Sequence, residues 1–561
     1  MRKGWHNMKK WETVNKLKAQ IEKFKVEDVI EILLENRGLK TDKEIDEFLH
    51  PDLTSVTPKN VEIDSSQLKK ALVRIEEAIK NNEQIIVFGD YDVDGITSSA
   101  ILWETLHELG AKCLPFIPDR KEEGYGLSVK ALQNESLVSK NPSLIITVDN
   151  GIVANDAVAF ANEKGIDVII TDHHTVAEKL PDASAIVHTT RLCGAGVAYL
   201  LSKEIRKSLH AKEKEDYHLE LAALGTVADL VPLTGANRAI VMAGLKKLHH
   251  TKRPGLLAMF QLAKVDQESI GVYEIGYIIG PRLNASGRID SAMDSLRLLC
   301  TTNKERASEL AAKLELTNRE RQQLLKKATE HAITGVRDEG LGTRKILIVG
   351  NESYEEGIIG LVAGRLVEAF YRPAIVLSLG ETVSKASVRS INGFNIIEFL
   401  RLHTEHFVNV GGHPMAAGFT IETTKIAILQ KMLEEKAGDM IADDLLIRSL
   451  KIDCELPFSL LTKKLYDNIQ QLAPFGMGNP EPIFATKNAT VESLRVIGKE
   501  GNHLRLVLRN DEKTFETIAF GMGELGNQLK PGDVIGVAYV LDENTWNGDT
   551  KLQLKIKDIK S

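Results

Sequence analysis

Three short polar stretches punctuate the first half of this 561-residue chain. Asp90, Asp92 and Asp94 alternate in "GDYDVDG", Asp149 stands in "ITVDNG", and Asp172, His173 and His174 stand together in "ITDHH". Each stretch follows an apolar run directly, so carboxylates and imidazoles occupy positions where buried strands would end. If the three strands are neighbours in one parallel sheet, all these side chains meet at one edge. So many carboxylates repel one another unless cations neutralise them. Carboxylate oxygen combined with imidazole nitrogen, without thiolate, suits Mn²⁺ or Mg²⁺, and the number of groups points to a dinuclear site. An Asp after a strand can be only a helix cap, and Asp94-Gly95 only a turn, but three such clusters at equivalent places favour the metal site. Read as an extended strand end, "DYDVD" sends Asp90, Asp92 and Asp94 to one side, and parity alone does not decide which of them bind metal.

The elements that must position these groups are legible around them. From about 84 to 190 the runs "QIIVFGDYD", "LIITVDN", "DVIITDHH" and "SAIVHTT" alternate with helical stretches. Short Ile/Val-rich runs between helices predict a parallel sheet covered on both faces, a doubly wound α/β domain whose ligands sit beyond the carboxyl ends of its strands. A small helical segment over 1–70 precedes this domain at 71–300, whose second half is mostly helical. At 301–340, Ala307, Leu310, Ala311 and Leu314 form an apolar stripe amid charges, which predicts a long connecting helix. A second, smaller α/β unit over 341–445 contains "RKILIVGN" and "RPAIVLSLG". Over 446–561 the pattern turns to period two, in "NHLRLVLRN", "FETIAFG" and "DVIGVAYVLDENTWNGDTKLQLKIKDI". With a turn at Asn547-Gly548, this predicts a small antiparallel barrel of OB type.

Composition bounds the function. No apolar run approaches the roughly 18 residues of a membrane helix, and the opening "MRKGWHNMKKWETVNKLKAQ" lacks the apolar core of a signal peptide, so a cytoplasmic location is expected. The four cysteines (Cys113, Cys193, Cys300, Cys454) are scattered, which argues against a disulfide framework or a zinc site. Net charge is −7, so phosphate binding must come from local clusters or metal ions. Local candidates exist. Arg120 in "PDRKEEGYG" follows a strand-like run; Arg288 in "SGRI" sits in a Gly/Ser-rich turn suited to an anion; Ser387 and Arg389 in "SVRS" offer a hydroxyl and a planar donor fork. His413 lies in "GGHPMAAG", whose small residues let backbone approach a ligand.

In this order, "DYDVDG", "VDNG", "TDHH" and "VADLVPL" (227–233) resemble the motifs of the DHH phosphoesterase superfamily, whose members hydrolyse phosphodiesters or pyrophosphate with two divalent metals. "GPRLNASGRI" (280–289), "ASVRS" (386–390), "VGGHPMAAGF" (410–419) and "APFGMGNPEPIF" (473–484) look like its RecJ-type branch. The resemblance implies a parallel-sheet DHH catalytic domain, a connecting helix, a DHH-associated domain and a C-terminal OB-like domain. It implies Asp92, Asp94, Asp149, His173 and Asp229 as metal ligands, with Asp149 bridging two ions of Mn²⁺ or Mg²⁺, and Asp90 at the same edge as a further ligand or acceptor. His174 resembles the residue that contacts the scissile phosphate and assists leaving-group protonation. Arg120, Ser387 and Arg389 would bind a terminal 5′ phosphate, with Arg288 on the nucleotide near the metals. Phe88 stands where many small DHH enzymes carry histidine, and Val410 where they carry glycine; both departures fit the RecJ-type branch. The implied activity is 5′→3′ exonuclease degradation of single-stranded DNA to mononucleotides in recombination and repair. The implied partners are single-stranded DNA with a 5′ end, a RecQ-type helicase and a single-strand-binding protein, with the chain itself a monomer. Alternatives are a phosphodiesterase for short oligonucleotides or cyclic dinucleotides, and a non-catalytic replication scaffold. Within the barrel, Arg495, Lys499, Arg505 and Arg509 are interspersed with acids, and Phe515, Phe520 and Trp546 read equally well as core.

Overall fold

A computed structural model describes residues 9–14, 25–119, 122–212, 218–289, 291–546 and 548–560, apart from the side chain of Trp546. The chain divides into two compact units: Thr41–Arg321 with Pro474–Pro480, and Met1–Lys40 with Gln322–Ala473 and Glu481–Ser561.

The first unit is built on five strands in the order Cys113–Phe116, Ile85–Phe88, Leu144–Val148, Asp167–Asp172, Ala185–His188. All four pairings are parallel, as the unbroken apolar runs require. "IIVF" and "LIITV" are buried along their whole length. The chain leaves Ile85–Phe88 to one side, towards Cys113–Phe116, and then crosses to the other, towards Leu144–Val148. The strand order therefore reverses between Ile85–Phe88 and Leu144–Val148, and a doubly wound sheet opens a crevice at such a point. Register places Phe88 beside Thr147 and Val148 beside Thr171, so the three polar stretches leave the sheet at the same edge.

Helix Lys304–Asp338 continues from the first unit into the second. Its first half buries Ala307, Leu310, Ala311 and Leu314 in the core of the first unit, as their spacing predicted, and Ala328, Ala332 and Val336 join a core of the second. The second unit holds a sheet in the order Asn409–His413, Ala416–Glu422, Val383–Arg389, Ala374–Ser378, Leu347–Asn351. It also holds a closed five-stranded barrel of Phe484–Ile497, His503–Asn510, Lys513–Ala519, Asp549–Lys560 and Val534–Trp546, the last pairing back to the first. This is the OB-like barrel, with one correction: Lys513–Ala519 and Asp549–Lys560 run parallel, so the barrel is not wholly antiparallel. Strands Val534–Trp546 and Asp549–Lys560 pair up to Trp546 and Asp549, and Asn547 of the expected turn lies outside the described residues. The N-terminal segment is not helical throughout: Lys10–Thr13 is a strand paired in parallel with Ser449–Ile452. No helix among the described residues is long and apolar enough to cross a membrane.

Candidate metal centre

The first polar stretch does not continue the strand. Asp92 is the N-cap of helix Val93–Glu108, accepting the Gly95 N–H at 3.1 Å, and Asp94 lies in the first helical turn. Strand parity therefore does not orient these carboxylates; a cap and a helical turn do. Gly95 is no exposed turn either, because a Cβ there would stand 2.6 Å from the Asp90 carbonyl oxygen. Asp94 is buried and held from two sides: its Oδ2 accepts the Gly194 N–H at 2.6 Å and its Oδ1 the Ala195 N–H at 2.8 Å. These are the first amides of helix Gly194–Ser208, whose positive end favours an anion.

Asp149 takes a left-handed backbone conformation at φ 63°, which a residue with a Cβ adopts at a cost when the surroundings impose it. Gly194 makes room for it, since a Cβ at Gly194 would lie 2.6 Å from that of Asp149. Neighbouring Asn150 ties two strand ends together, donating to the carbonyls of Phe88 at 3.3 Å and Val148 at 2.9 Å. His173 Nε2 stands 3.0 Å from Asp149 Oδ1 and 3.7 Å from both Asp94 Oδ2 and Asp229 Oδ2. Asp229 is the C-cap of helix Leu219–Ala228. The segment Pro474–Pro480 supports the chain just beyond it. Met477 accepts the Leu233 N–H at 2.7 Å, and a Cβ at Gly476 would lie 2.7 Å from the Leu233 side chain.

Asp172 is buried but has a different task. It accepts the N–H groups of Ile152 (2.9 Å), His173 (2.7 Å) and His174 (3.1 Å), and its Oδ1 lies 2.7 Å from His174 Nδ1. Its carboxylate thus orients His174, whose Nε2 is 3.3 Å from the Tyr125 hydroxyl.

Among the described residues, three overlapping groups bring candidate ligand atoms within 4.8 Å of one another: Asp149 with His173 and His174, Asp94 with His173 and Asp229, and Asp90 with Asp92 and Asp149. Burial, then the charges of Asp94, Asp92, Asp90 and Asp229, holds the Asp149 carboxyl well above the usual range. Burial with Asp94 raises Asp92 too, and burial with Asp94 and Asp92 pushes Asp229 up to about 9. Burial lowers His173, keeping its imidazole neutral, the form that ligates a metal. For His174 burial opposes the charge, but the hydrogen bond and charge of Asp172 outweigh it and raise the group to about 9. Asp149 Oδ1 and His173 Nε2 are buried, and neither makes a hydrogen bond. Buried polar atoms without partners are costly, and a divalent cation among these oxygens and nitrogens would satisfy both and bring the carboxylates back to their ionised form. Hard oxygen donors with one or two imidazoles fit Mn²⁺ or Mg²⁺.

The other candidates fall into separate places. Arg120 lies outside the described residues. Arg288 is on helix Gly280–Ile289 and not in a turn. That helix meets the first polar stretch closely: Asn284 Oδ1 accepts the Val93 N–H at 2.9 Å, and a Cβ at Gly287 would lie 2.3 Å from the Tyr91 carbonyl oxygen. Ser387 and Arg389 are on strand Val383–Arg389 of the second unit, where Arg389 Nη1 donates to Ser387 Oγ at 3.3 Å. Gly360 leaves space for both, since a Cβ there would meet Ser387 Oγ at 2.9 Å and Arg389 Nη2 at 3.0 Å. The "GGHPMAAG" segment is a hairpin, and His413 pairs with Ala416, which pairs on its other side with Arg389. In the barrel Phe515 is core, whereas Phe520 is 55% exposed and packs edge-on against His503. Arg505 is paired with Glu516 and Arg509 with Glu492. Tyr125, Asn150, Gly194 and Asn284 were not among the expected site residues; the small residues of "CGAG" were the one local hint of close backbone approach.

Three domain families match the chain: the DHH family N-terminal domain over residues 84–226, the DHHA1 domain over 343–439 and the RecJ OB domain over 452–558. The single-stranded-DNA-specific exonuclease RecJ of Bacillus subtilis (strain 168) is 37% identical over 556 residues, covering 97% of this chain and 69% of that protein. The protein of the same description from Haemophilus influenzae is 31% identical over 525 residues, covering 88% of this chain and 90% of its own length. The crystal structure of RecJ in complex with Mn²⁺ from Thermus thermophilus superposes with a TM-score of 0.82 at 30% identity, over 98% of this chain and 79% of that one. The corresponding Mg²⁺ complex gives a TM-score of 0.76 at 28% identity, over 98% and 78%.

Proposed function

This chain belongs to the RecJ family of single-stranded-DNA-specific exonucleases, and on that premise we propose that it degrades single-stranded DNA from the 5′ end to mononucleotides by two-metal hydrolysis. The observation that carries the reading is the meeting of Asp149, His173, His174 and four further aspartates at the switch point of a parallel sheet, in three groups that share members. Asp90, Asp92 and Asp149 would hold one ion, and Asp94, His173 and Asp229 the other, with Asp149 near both. Divalent ions bound there would supply an activated water at neutral pH and neutralise the phosphate oxygens.

The chain's own residues do the rest. Asp94, fixed by the Gly194 and Ala195 amides, is held with Oδ2 3.7 Å from His173 Nε2. His174 faces the scissile phosphate and gives its proton to the leaving oxygen; Asp172 holds the ring in place and Tyr125 limits its rotation. Ser387 and Arg389 bind the terminal phosphate and His413 adds a polar contact, while Arg288 touches the nucleotide near the metals, and Arg120 completes the set of phosphate-binding residues. An enzyme that requires a single strand depends on a duplex-opening reaction to supply it, which makes a RecQ-type helicase and a single-strand-binding protein fitting partners in recombination and repair.

Polarity is the part to test. Single strands labelled at either end and carrying a 5′ phosphate, a 5′ hydroxyl or a blocked 5′ end should be degraded from the 5′ end only, fastest with the phosphate. Arg389→Ala should remove that preference. Degradation from the 3′ end, or equal rates on a long strand and a dinucleotide, would contradict the reading.

A further inference from the structure

We infer that Arg253 is a positioning residue for the metal centre, its guanidinium fixing the register of the two helices that carry Asp94 and Asp229. The inference rests on the metal-centre reading and extends it to a residue remote from the ions. Helix Val93–Glu108 starts at the metal edge with Asp94 and reaches Glu104 after about 15 Å of rise. Helix Leu219–Ala228 runs from Glu220 to its C-cap, Asp229, over about 14 Å. At the metal end the two helices touch without slack at Gly225, where a Cβ would stand 2.6 Å from Asp94 Oδ1 and 2.6 Å from Thr97 Oγ1.

At the far end Arg253 spans both helices. Its Nη1 and Nη2 donate to the two carboxylate oxygens of Glu104 at 2.8 Å each, and its Nε donates to Glu220 Oε1 at 2.7 Å. Nη1 also donates to the Leu299 carbonyl at 3.1 Å, and Nη2 to His218 Nδ1 at 3.0 Å. The guanidinium projects from a fixed backbone. Arg253 is the N-cap of helix Pro254–Ala263, and Gly255 packs so tightly on Leu298 that a Cβ would lie 1.8 Å from its carbonyl oxygen.

The hydrophobic driving force between helices is non-directional, whereas a planar fork bonded to two carboxylates fixes their offset along the axis. Buried ion pairs are a poor source of stability compared with apolar residues of the same volume, which makes geometry the better reason for this one. A single ammonium could not meet Glu104 with two parallel bonds and reach Glu220 as well. Metal ligands tolerate misplacement of about 0.5 Å, so a small slip between the helices would spoil the grouping of Asp94 and Asp229 around His173.

The test is Mn²⁺ titration of the full chain after chelation, with free ion counted by electron paramagnetic resonance. Arg253→Met and Arg253→Lys should each weaken Mn²⁺ binding about tenfold, the lower end of what loss of a group that orients metal ligands costs, here transmitted through the two helices. Leu256→Ala, on the same helix and fully buried, removes packing only; it should lower the melting temperature and leave Mn²⁺ affinity unchanged. Unchanged affinity in Arg253→Met, or an equal loss in Leu256→Ala, would overturn the inference. Should Arg253→Met fail to fold, Glu104→Gln takes its place with the same expectation and the same contrary result. A wild-type chain that binds no Mn²⁺ would instead sink the metal-centre reading itself.

Discussion

Asp172 divides the work of two histidines that stand side by side. His173 keeps a neutral ring turned to Asp149, Asp94 and Asp229, whereas His174 is anchored through Nδ1 on Asp172. Asp172 is engaged by three backbone N–H groups and the His174 ring and is not in any of the three candidate ligand groups, so its carboxylate positions His174. Asp172→Asn should therefore lower hydrolysis by about 10- to 100-fold while Mn²⁺ affinity changes far less, measured by single-turnover rates beside a binding titration. Residue types at strand ends marked Asp149 and His173 as candidate ligands, and the resemblance of "VADLVPL" to a family motif added Asp229. They did not mark Tyr125 or Asn150, whose hydrogen bonds join strand ends and loops far apart in the chain and leave no local pattern.

The elements show where pattern reading succeeds and where it stops. Apolar runs ending in polar residues identified the parallel strands, because burial on both faces leaves an unmistakable local signature. The same reading extended the first strand through Asp94, yet Asp92 is a strong N-cap and the helix begins immediately after it. The strand Lys10–Thr13 and the parallel closure of the barrel were not legible, since each depends on a partner far away in sequence. Gly225 illustrates a demand that only packing reveals. Alanine ordinarily favours a helix over glycine by about 1 kcal/mol. At Gly225 a Cβ would sit 2.5 Å from that of Ala195 and 2.6 Å from the Asp94 carboxylate, so crowding prevails. Gly225→Ala should cost about 1–3 kcal/mol, read by chemical denaturation, and weaken Mn²⁺ binding as well.

At the scale of the molecule, the acidic centre couples stability to pH and to metal. Burial with Asp94 and Asp92 places Asp229 near 9 in the folded chain, against about 4 when unfolded. The folded state then binds more protons between these values, so the stability contributed by this group is complete below about pH 4 and is lost as pH rises towards about 9. The metal-free chain should accordingly melt at progressively lower temperature from about pH 5 to about pH 9. Mn²⁺ requires the ionised carboxylates, so saturating ion should reverse the trend, with about 2.7 kcal/mol of stabilisation at a hundredfold excess over the dissociation constant. Melting curves with chelator and with Mn²⁺ across that pH range check both signs; a flat metal-free profile would count against the buried acidic cluster.

The most direct measurement is hydrolysis of a 5′-phosphorylated single strand by the chelated chain, before and after Mn²⁺ is restored, beside Asp149→Ala. A metal centre built on Asp149 predicts no mononucleotide without the ion, release on adding it, and none from Asp149→Ala under any condition. Hydrolysis that survives chelation, or persists undiminished in Asp149→Ala, would contradict it.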